Sequence, residues 1–223
     1  MNLDTRMQIF TKFLVFVSLA AVVIFFVGVS KDSFVLRMIS KPLPVLCIAV
    51  WVYRGKKGRY NAFICGGLLL SVLGDIFLEW GDHTFLAGVL AFLFAQVLYI
   101  GAFINRSRDI KPLYALPFAV WGCIIYALLF GNLDGMAIPV GLYIVIICIM
   151  MWRATAQVGT GDASRGDTLA GAAGAVSFGL SDSLLALNRW YMPMPEARYL
   201  IITLYWLGQL GIGLSTRLQK RSD

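Results

Sequence analysis

The stretch Phe13-Leu-Val-Phe-Val-Ser-Leu-Ala-Ala-Val-Val-Ile-Phe-Phe-Val-Gly-Val29 decides the class of this protein. It carries no charge, and with the apolar positions around it approaches the about 20 residues that a helix needs to cross a bilayer. It is too long for the apolar region of a secretory leader, and no A-x-A pattern closes it, so it reads as a retained span. The rest of the chain has the same character. Of 223 residues, 59% are apolar and 14% charged, against about 45–50% and about 25% in soluble domains. That balance excludes a soluble globular core, disorder and a disulfide scaffold.

Working outward, apolar runs bounded by charges or turn residues predict eight spans, at about 10–29, 42–53, 61–80, 84–104, 112–130, 136–152, 168–187 and 199–216. The second is short, and Ile39 with the Pro42–Pro44 segment lengthens it, because proline is tolerated in a first helical turn. Loops are short, the longest at about 153–167, so residues 1–223 read as a single all-α, polytopic integral membrane domain. Cys47, Cys65, Cys123 and Cys148 all fall inside apolar runs, where cysteine acts as a small hydrophobe. Without His or Cys clusters there is no ligand set for a metal.

The net charge of +7 invites a nucleic-acid partner, but the placement of the charges points to a lipid bilayer instead. With both termini on one side, that side carries Arg6, Lys12, Arg54, Lys56, Lys57, Arg59, Arg106, Arg108, Lys111, Arg153, Arg165, Arg217, Lys220 and Arg221. The other side keeps Lys31, Arg37, Lys41, Arg189 and Arg198. The positive-inside rule then places both termini in the cytoplasm.

Two acids stand out because they lie within spans. A charged Asp at a helix centre costs about 2.5–3.5 kcal/mol on insertion scales, which makes Asp75 and Asp182 functional candidates. Asp75 is the fifteenth residue of the span beginning at Asn61, and Asp182 the fifteenth of that beginning at Thr168. At about 1.5 Å per residue the two carboxyls lie at matching depth in the outer half of the membrane. Their flanks correspond, Ser71-Val-Leu-Gly-Asp-Ile-Phe-Leu78 with Ser177-Phe-Gly-Leu-Ser-Asp-Ser-Leu-Leu185, and the next spans echo one another around Gln96 and Gln209. This reads as a four-plus-four parallel repeat, which puts a shared site between the halves.

Small residues around each Asp let neighbouring backbones approach closely. Gly67, Ser71, Asp75 and Glu79 form one stripe; Ala175, Gly179, Asp182 and Ala186 lie on one face of the seventh span. Tyr143, Tyr205, Gln96 and Gln209 fall at similar or greater depth, either lining a cleft or bonding one another. Lys41 suits a lipid phosphate as a point charge, or snorkels to the headgroups. Asn188 and Arg189 cap the outer end of the Asp182 helix with the same two readings, and His83 sits in an outer turn as a surface residue.

Two carboxyls brought close in a low-dielectric site divide into one protonated and one ionised group. Such a pair serves hydrolysis of an acid-labile bond through an oxocarbenium-like species, an aspartic-protease dyad, or a proton relay. Residue chemistry leaves these three open.

The segments Lys41-Pro-Leu-Pro44, Leu73-Gly-Asp-Ile-Phe-Leu78, Phe85-Leu-Ala-Gly88, Ala91-Phe-Leu-Phe-Ala-Gln-Val-Leu-Tyr99 and Ser181-Asp-Ser-Leu-Leu-Ala-Leu-Asn188, with Tyr143 and Met151-Trp-Arg153, resemble the YhhN-like transmembrane family, the lysoplasmalogenases. The resemblance runs from the first span to the eighth. It implies hydrolysis of the vinyl ether bond of lysoplasmalogens to a fatty aldehyde and a glycerophospho-base, with no cofactor. It also implies an endoplasmic reticulum location in a eukaryote or the inner membrane in a bacterium. The family's paired aspartates carry over onto Asp75 and Asp182, whereas Gln96 stands where the family pattern leads one to expect histidine. Protonation of the vinyl ether β-carbon is slow in neutral water, so a general acid is what the reaction lacks. One Asp is expected to protonate the carbon and the other to orient water and stabilise the cation; the sequence leaves the order open, and the drier neighbours Ala175, Phe178 and Gly179 incline it to Asp182 as acid. Lys41, Glu79, Gln96, Tyr143, Asn188, Tyr205 and Gln209 are expected around the substrate, its headgroup facing the rim near Lys41 and Arg189. The rivals are a proton-coupled transporter or channel built on the same pair, and an intramembrane aspartic protease. Val72-Leu-Gly-Asp75 lacks the G-x-G-D signature of such a protease.

Overall fold

The computed structural model describes residues 3–55, 57–160 and 163–216. Its α-helices, in chain order, are α1 (Leu3–Ser30), α2 (Phe34–Ser40), α3 (Leu43–Tyr53), α4 (Arg59–Trp80), α5 (Phe85–Arg106), α6 (Leu116–Phe130), α7 (Ala137–Ala156), α8 (Arg165–Trp190) and α9 (Ala197–Leu214). Among the described residues, seven segments are long and apolar enough to cross a membrane. These are Thr5–Ser30, Phe34–Tyr53, Arg59–Trp80, Asp82–Arg106, Pro112–Phe130, Asp134–Ala156 and Arg165–Trp190. The 18-residue α9 falls outside that set.

Two boundaries differ from the sequence reading. The second span begins at Phe34, not near 42, and breaks at Ser40-Lys41-Pro42 into α2 and α3. Pro42 and Pro44 lack N–H groups, so the carbonyls of Met38 and Ser40 lose their helical donors and the chain kinks there. The loop expected at 153–167 shortens to 157–164, because α7 continues to Ala156 and Ser164 caps α8, its hydroxyl accepting from the Asp167 N–H at 3.1 Å. Of the expected buried cysteines, Cys123 instead lies exposed on the outer surface of α6.

Two antiparallel hairpins carry the acids. In α4 and α5, Gly67 receives Tyr99, Gly74 receives Phe92 and Gly88 receives Leu78, each glycine making room for one large side chain. In α8 and α9 the approach is backbone to backbone. A Cβ on Gly174 would stand 2.5 Å from the Ile212 nitrogen and 2.7 Å from the Gly208 carbonyl oxygen. Small residues allow such contact where lipid supplies no hydrophobic drive between helices. Phe92, Phe178 and Tyr205 lock α5, α8 and α9 together as an aromatic triangle with centroids 5.7–5.9 Å apart. Helix α5 packs beside α7, and α9 beside α3.

The outer faces of α1 and α6 expose Phe13, Phe16, Leu19 and Val23, and Leu116, Val120 and Ile124. Contiguous apolar surface of this kind fits an apolar solvent. Charged groups collect at the two ends of the bundle. At one end Arg106 donates to the Ser215 carbonyl at 2.8 Å, Arg153 to the Asp109 carbonyl at 2.7 Å and Lys111 to the Val158 carbonyl at 3.2 Å. At the other end lie Arg37, Lys41, Glu79, Asp82 and Arg189. Lys56, Arg217, Lys220 and Arg221, counted on the cytoplasmic side, lie outside the described residues.

Candidate active site

Asp75 sits on α4, 1% exposed, and its Oδ2 accepts a hydrogen bond from the Tyr205 hydroxyl of α9 at 2.7 Å. Asp182 sits on α8, and its Oδ2 accepts from the Tyr143 hydroxyl of α7 and from Gln96 Nε2 of α5 at 3.4 Å. The partners are exchanged between the hairpins: the helix after Asp75 reaches Asp182, and the helix after Asp182 reaches Asp75. Seven residues beyond each aspartate, Asp82 and Arg189 meet at 3.1 Å, so α4 and α8 come to the same end of the bundle in step.

The two acids differ in what they face. Asp182 lines a small apolar cavity with Val89, Phe92, Val140, Ile144 and Ala186, with a volume of about 60 Å³. Both of its hydrogen bonds end on Oδ2, leaving Oδ1 for the cavity. Gln96 Oε1 is buried and has no hydrogen-bond partner among the described residues, an acceptor suited to a water or to a carboxylic O–H. Asp75 lines neither cavity described here and stands behind Tyr205.

Leu78, Phe85 and Leu185 form a collar common to the walls of this cavity and of a second, polar cavity of about 410 Å³. Lys41, Glu79, Asn188 and Arg189, all assigned from sequence to the substrate or its headgroup, line this second cavity. Arg37 Nε donates to Glu79 Oε1 at 2.7 Å and Lys41 Nζ to Glu79 Oε2 at 3.4 Å, with the Glu79 side chain 6% exposed. Asn188 Oδ1 accepts from the Met194 N–H at 2.7 Å and so pins the turn leading to α9.

Gln209 goes elsewhere. It accepts from the Tyr99 hydroxyl at 2.7 Å and donates to Ser71 Oγ at 3.1 Å, bracing the helix one turn below Asp75 rather than facing either cavity. Sequence reasoning missed Arg37 and Arg198 as cavity residues, treating both only as outer-side charges. The spacing of Arg37 and Lys41, four residues apart before a proline, was the available signal for the first. Nothing local marked Arg198. Among the described residues, no three His, Cys, Asp or Glu side chains come together as a metal site.

The arrangement is a carboxyl, one oxygen of which has no hydrogen bond among the described residues, at the wall of a small apolar cavity that shares a collar of three side chains with a larger cavity rich in cations. It places an acid in dry surroundings, with guanidinium and ammonium groups able to bind an anion in the neighbouring cavity. Residues 36–216 match the model of the YhhN family. Lysoplasmalogenase TMEM86A of Bos taurus is 34% identical over 194 residues, 83% of this chain and 80% of that protein. Lysoplasmalogenase TMEM86B of Homo sapiens is 34% identical over 178 residues, 78% and 73% of the two chains. A lysoplasmalogenase of Mycobacterium tuberculosis is 31% identical over 144 residues, 60% and 52%. No solved structure gives a significant match. On the extent of the family match and the coverage of these relatives, the chain belongs to the YhhN family.

Proposed function

We propose that this protein is a lysoplasmalogenase, hydrolysing the vinyl ether of an alkenyl lysophospholipid with Asp182 as general acid and Asp75 as a supporting charge. The observation that carries the residue assignment is the oxygen of Asp182 left unbonded, among the described residues, at an apolar cavity that shares part of its wall with a cationic one. The reaction itself is taken from the relatives named lysoplasmalogenase.

Asp182 delivers its proton to the β-carbon of the vinyl ether, leaving an oxocarbenium ion at the α-carbon. Water, held by Gln96 Oε1, adds to that carbon and returns a proton to the Asp182 carboxylate. The hemiacetal then collapses: the glycerol oxygen takes up the hydroxyl proton and leaves, and the α-carbon becomes the aldehyde. One water is consumed and the acid is regenerated. The dry walls around Asp182 strengthen every charge interaction with the cation. Asp75 acts at a distance, its charge opposing the cation while it fixes Tyr205 at the corner of the aromatic triangle.

The same reading includes α9 as an eighth span, both termini in the cytoplasm, and the acids in the outer half of the bilayer. A four-plus-four repeat accounts for the exchanged partners, since α5 beside α7 and α9 beside α3 occupy equivalent places. The test is aldehyde release by purified protein in detergent, from an alkenyl lysophospholipid against its ester analogue. The vinyl ether is expected to yield aldehyde and the ester no fatty acid; a protein that releases no aldehyde is not this enzyme, and a transporter using the same pair would behave so.

A further inference from the structure

The polar cavity contains four cations, Arg37, Lys41, Arg189 and Arg198, against two carboxylates, Glu79 and Asp82. The excess of positive charge is unevenly held. Arg37 and Lys41 are committed to the buried Glu79. Among the described residues Arg189 pairs only with Asp82, whose side chain is 89% exposed, and a pair so wet is worth about 0–1 kcal/mol. Arg198, exposed in the first turn of α9, has no ion pair among the described residues. Two guanidinium groups are therefore available at one mouth, the kind of donor that holds a phosphate through paired N–H groups.

Their distance from the acid is also set. Arg189 follows Asp182 by seven residues on the same helix, a rise of about 10 Å. In an alkenyl lysophospholipid, the bonds between phosphorus and the vinyl ether β-carbon span about 9 Å when extended. The Arg189 guanidinium is stacked 3.8 Å from the ring of Phe85, a residue of the collar shared by both cavities. A phosphate held there sets the vinyl ether at about the height of Asp182 along α8.

We propose that Arg189 and Arg198 bind the phosphodiester of the substrate and act as a ruler that selects which bond reaches Asp182. This rests on the hydrolase reading for the identity of the lipid. The proposal is tested by binding alone, so that its failure and that of the hydrolase remain separate. Tryptophan fluorescence of the full-length protein in detergent reads binding of a 1-O-alkyl lysophospholipid, which cannot be hydrolysed, and of the 1-O-alkyl glycerol that lacks the phosphate. R198Q and R189Q are each expected to weaken the lysophospholipid about tenfold while leaving the alkyl glycerol unchanged, as for loss of one charge-assisted contact. Equal weakening of both ligands, or equal affinity of the unaltered protein for both, overturns it. Glycerophosphoethanolamine and inorganic phosphate serve as competitors. Displacement by the diester alone supports a lipid headgroup, whereas equal displacement by inorganic phosphate assigns the guanidinium groups to free phosphate and removes the ruler.

Discussion

Asp182→Asn isolates the proton from everything else Asp182 does. Asn has the same shape, and its amide oxygen can take the place of Oδ2, still accepting from Tyr143 and Gln96. The amide nitrogen then occupies the position of Oδ1 at the cavity wall. No cavity is created and the Tyr143 and Gln96 donors keep their acceptor, so the fold and the binding of a non-hydrolysable alkyl lysophospholipid should be preserved, the latter within about twofold. What is lost is a group able to protonate carbon. General acid catalysis is worth about 10²–10⁴ in rate, or about 3–5 kcal/mol of barrier, and kcat for aldehyde release should fall by that factor. The assay pairs initial rates of aldehyde formation with the binding measurement and a thermal melt in the same detergent. A variant that keeps more than a tenth of the rate while folded, or one whose lost rate is matched by lost binding, refutes the assignment of Asp182 as the acid.

Two further outcomes follow from the packing. Asp75→Asn keeps an acceptor for the Tyr205 hydroxyl but removes the charge, and should lower kcat by about 10²-fold with KM nearly unchanged, since the group touches no substrate; an unaltered kcat in a folded variant would take Asp75 out of the mechanism. Gly174→Ala places a methyl group against backbone atoms of α9 that no rotamer change can move, so an overpacking cost of about 1–3 kcal/mol should outweigh the about 1 kcal/mol gained in helix propensity; a melting temperature equal to that of the unaltered protein would show that α8 and α9 separate freely.

Much of the site was legible one helix at a time. Hydropathy marked α4 and α8 as apolar helices, and counting residues from their first ends put Asp75 and Asp182 at equal depth. The meeting of Asp82 with Arg189, seven positions further along each chain segment, agrees with that count. The polar stripe from Ser71 to Glu79 was equally plain, because residues four apart share a face. The partners of those residues were not legible. Gln96 and Gln209 occupy corresponding places in similar segments, yet one bonds an aspartate and the other a serine and a tyrosine.

Composition and hydropathy sufficed for the helical class and for apolar helices long enough to cross a membrane, and a fixed rise per residue sufficed for the place of each acid along its helix. Tertiary structure alone decided which acid faces an open cavity, that Arg37 neutralises Glu79, and that Arg198 joins Arg189 at one mouth. Those outcomes depend on which glycines admit which aromatic rings between helices, such as Gly67 under Tyr99 and Gly74 under Phe92. Contacts between residues as far apart as Asp75 and Tyr205 follow from the volumes that close the bundle, and no local pattern in the chain encodes them.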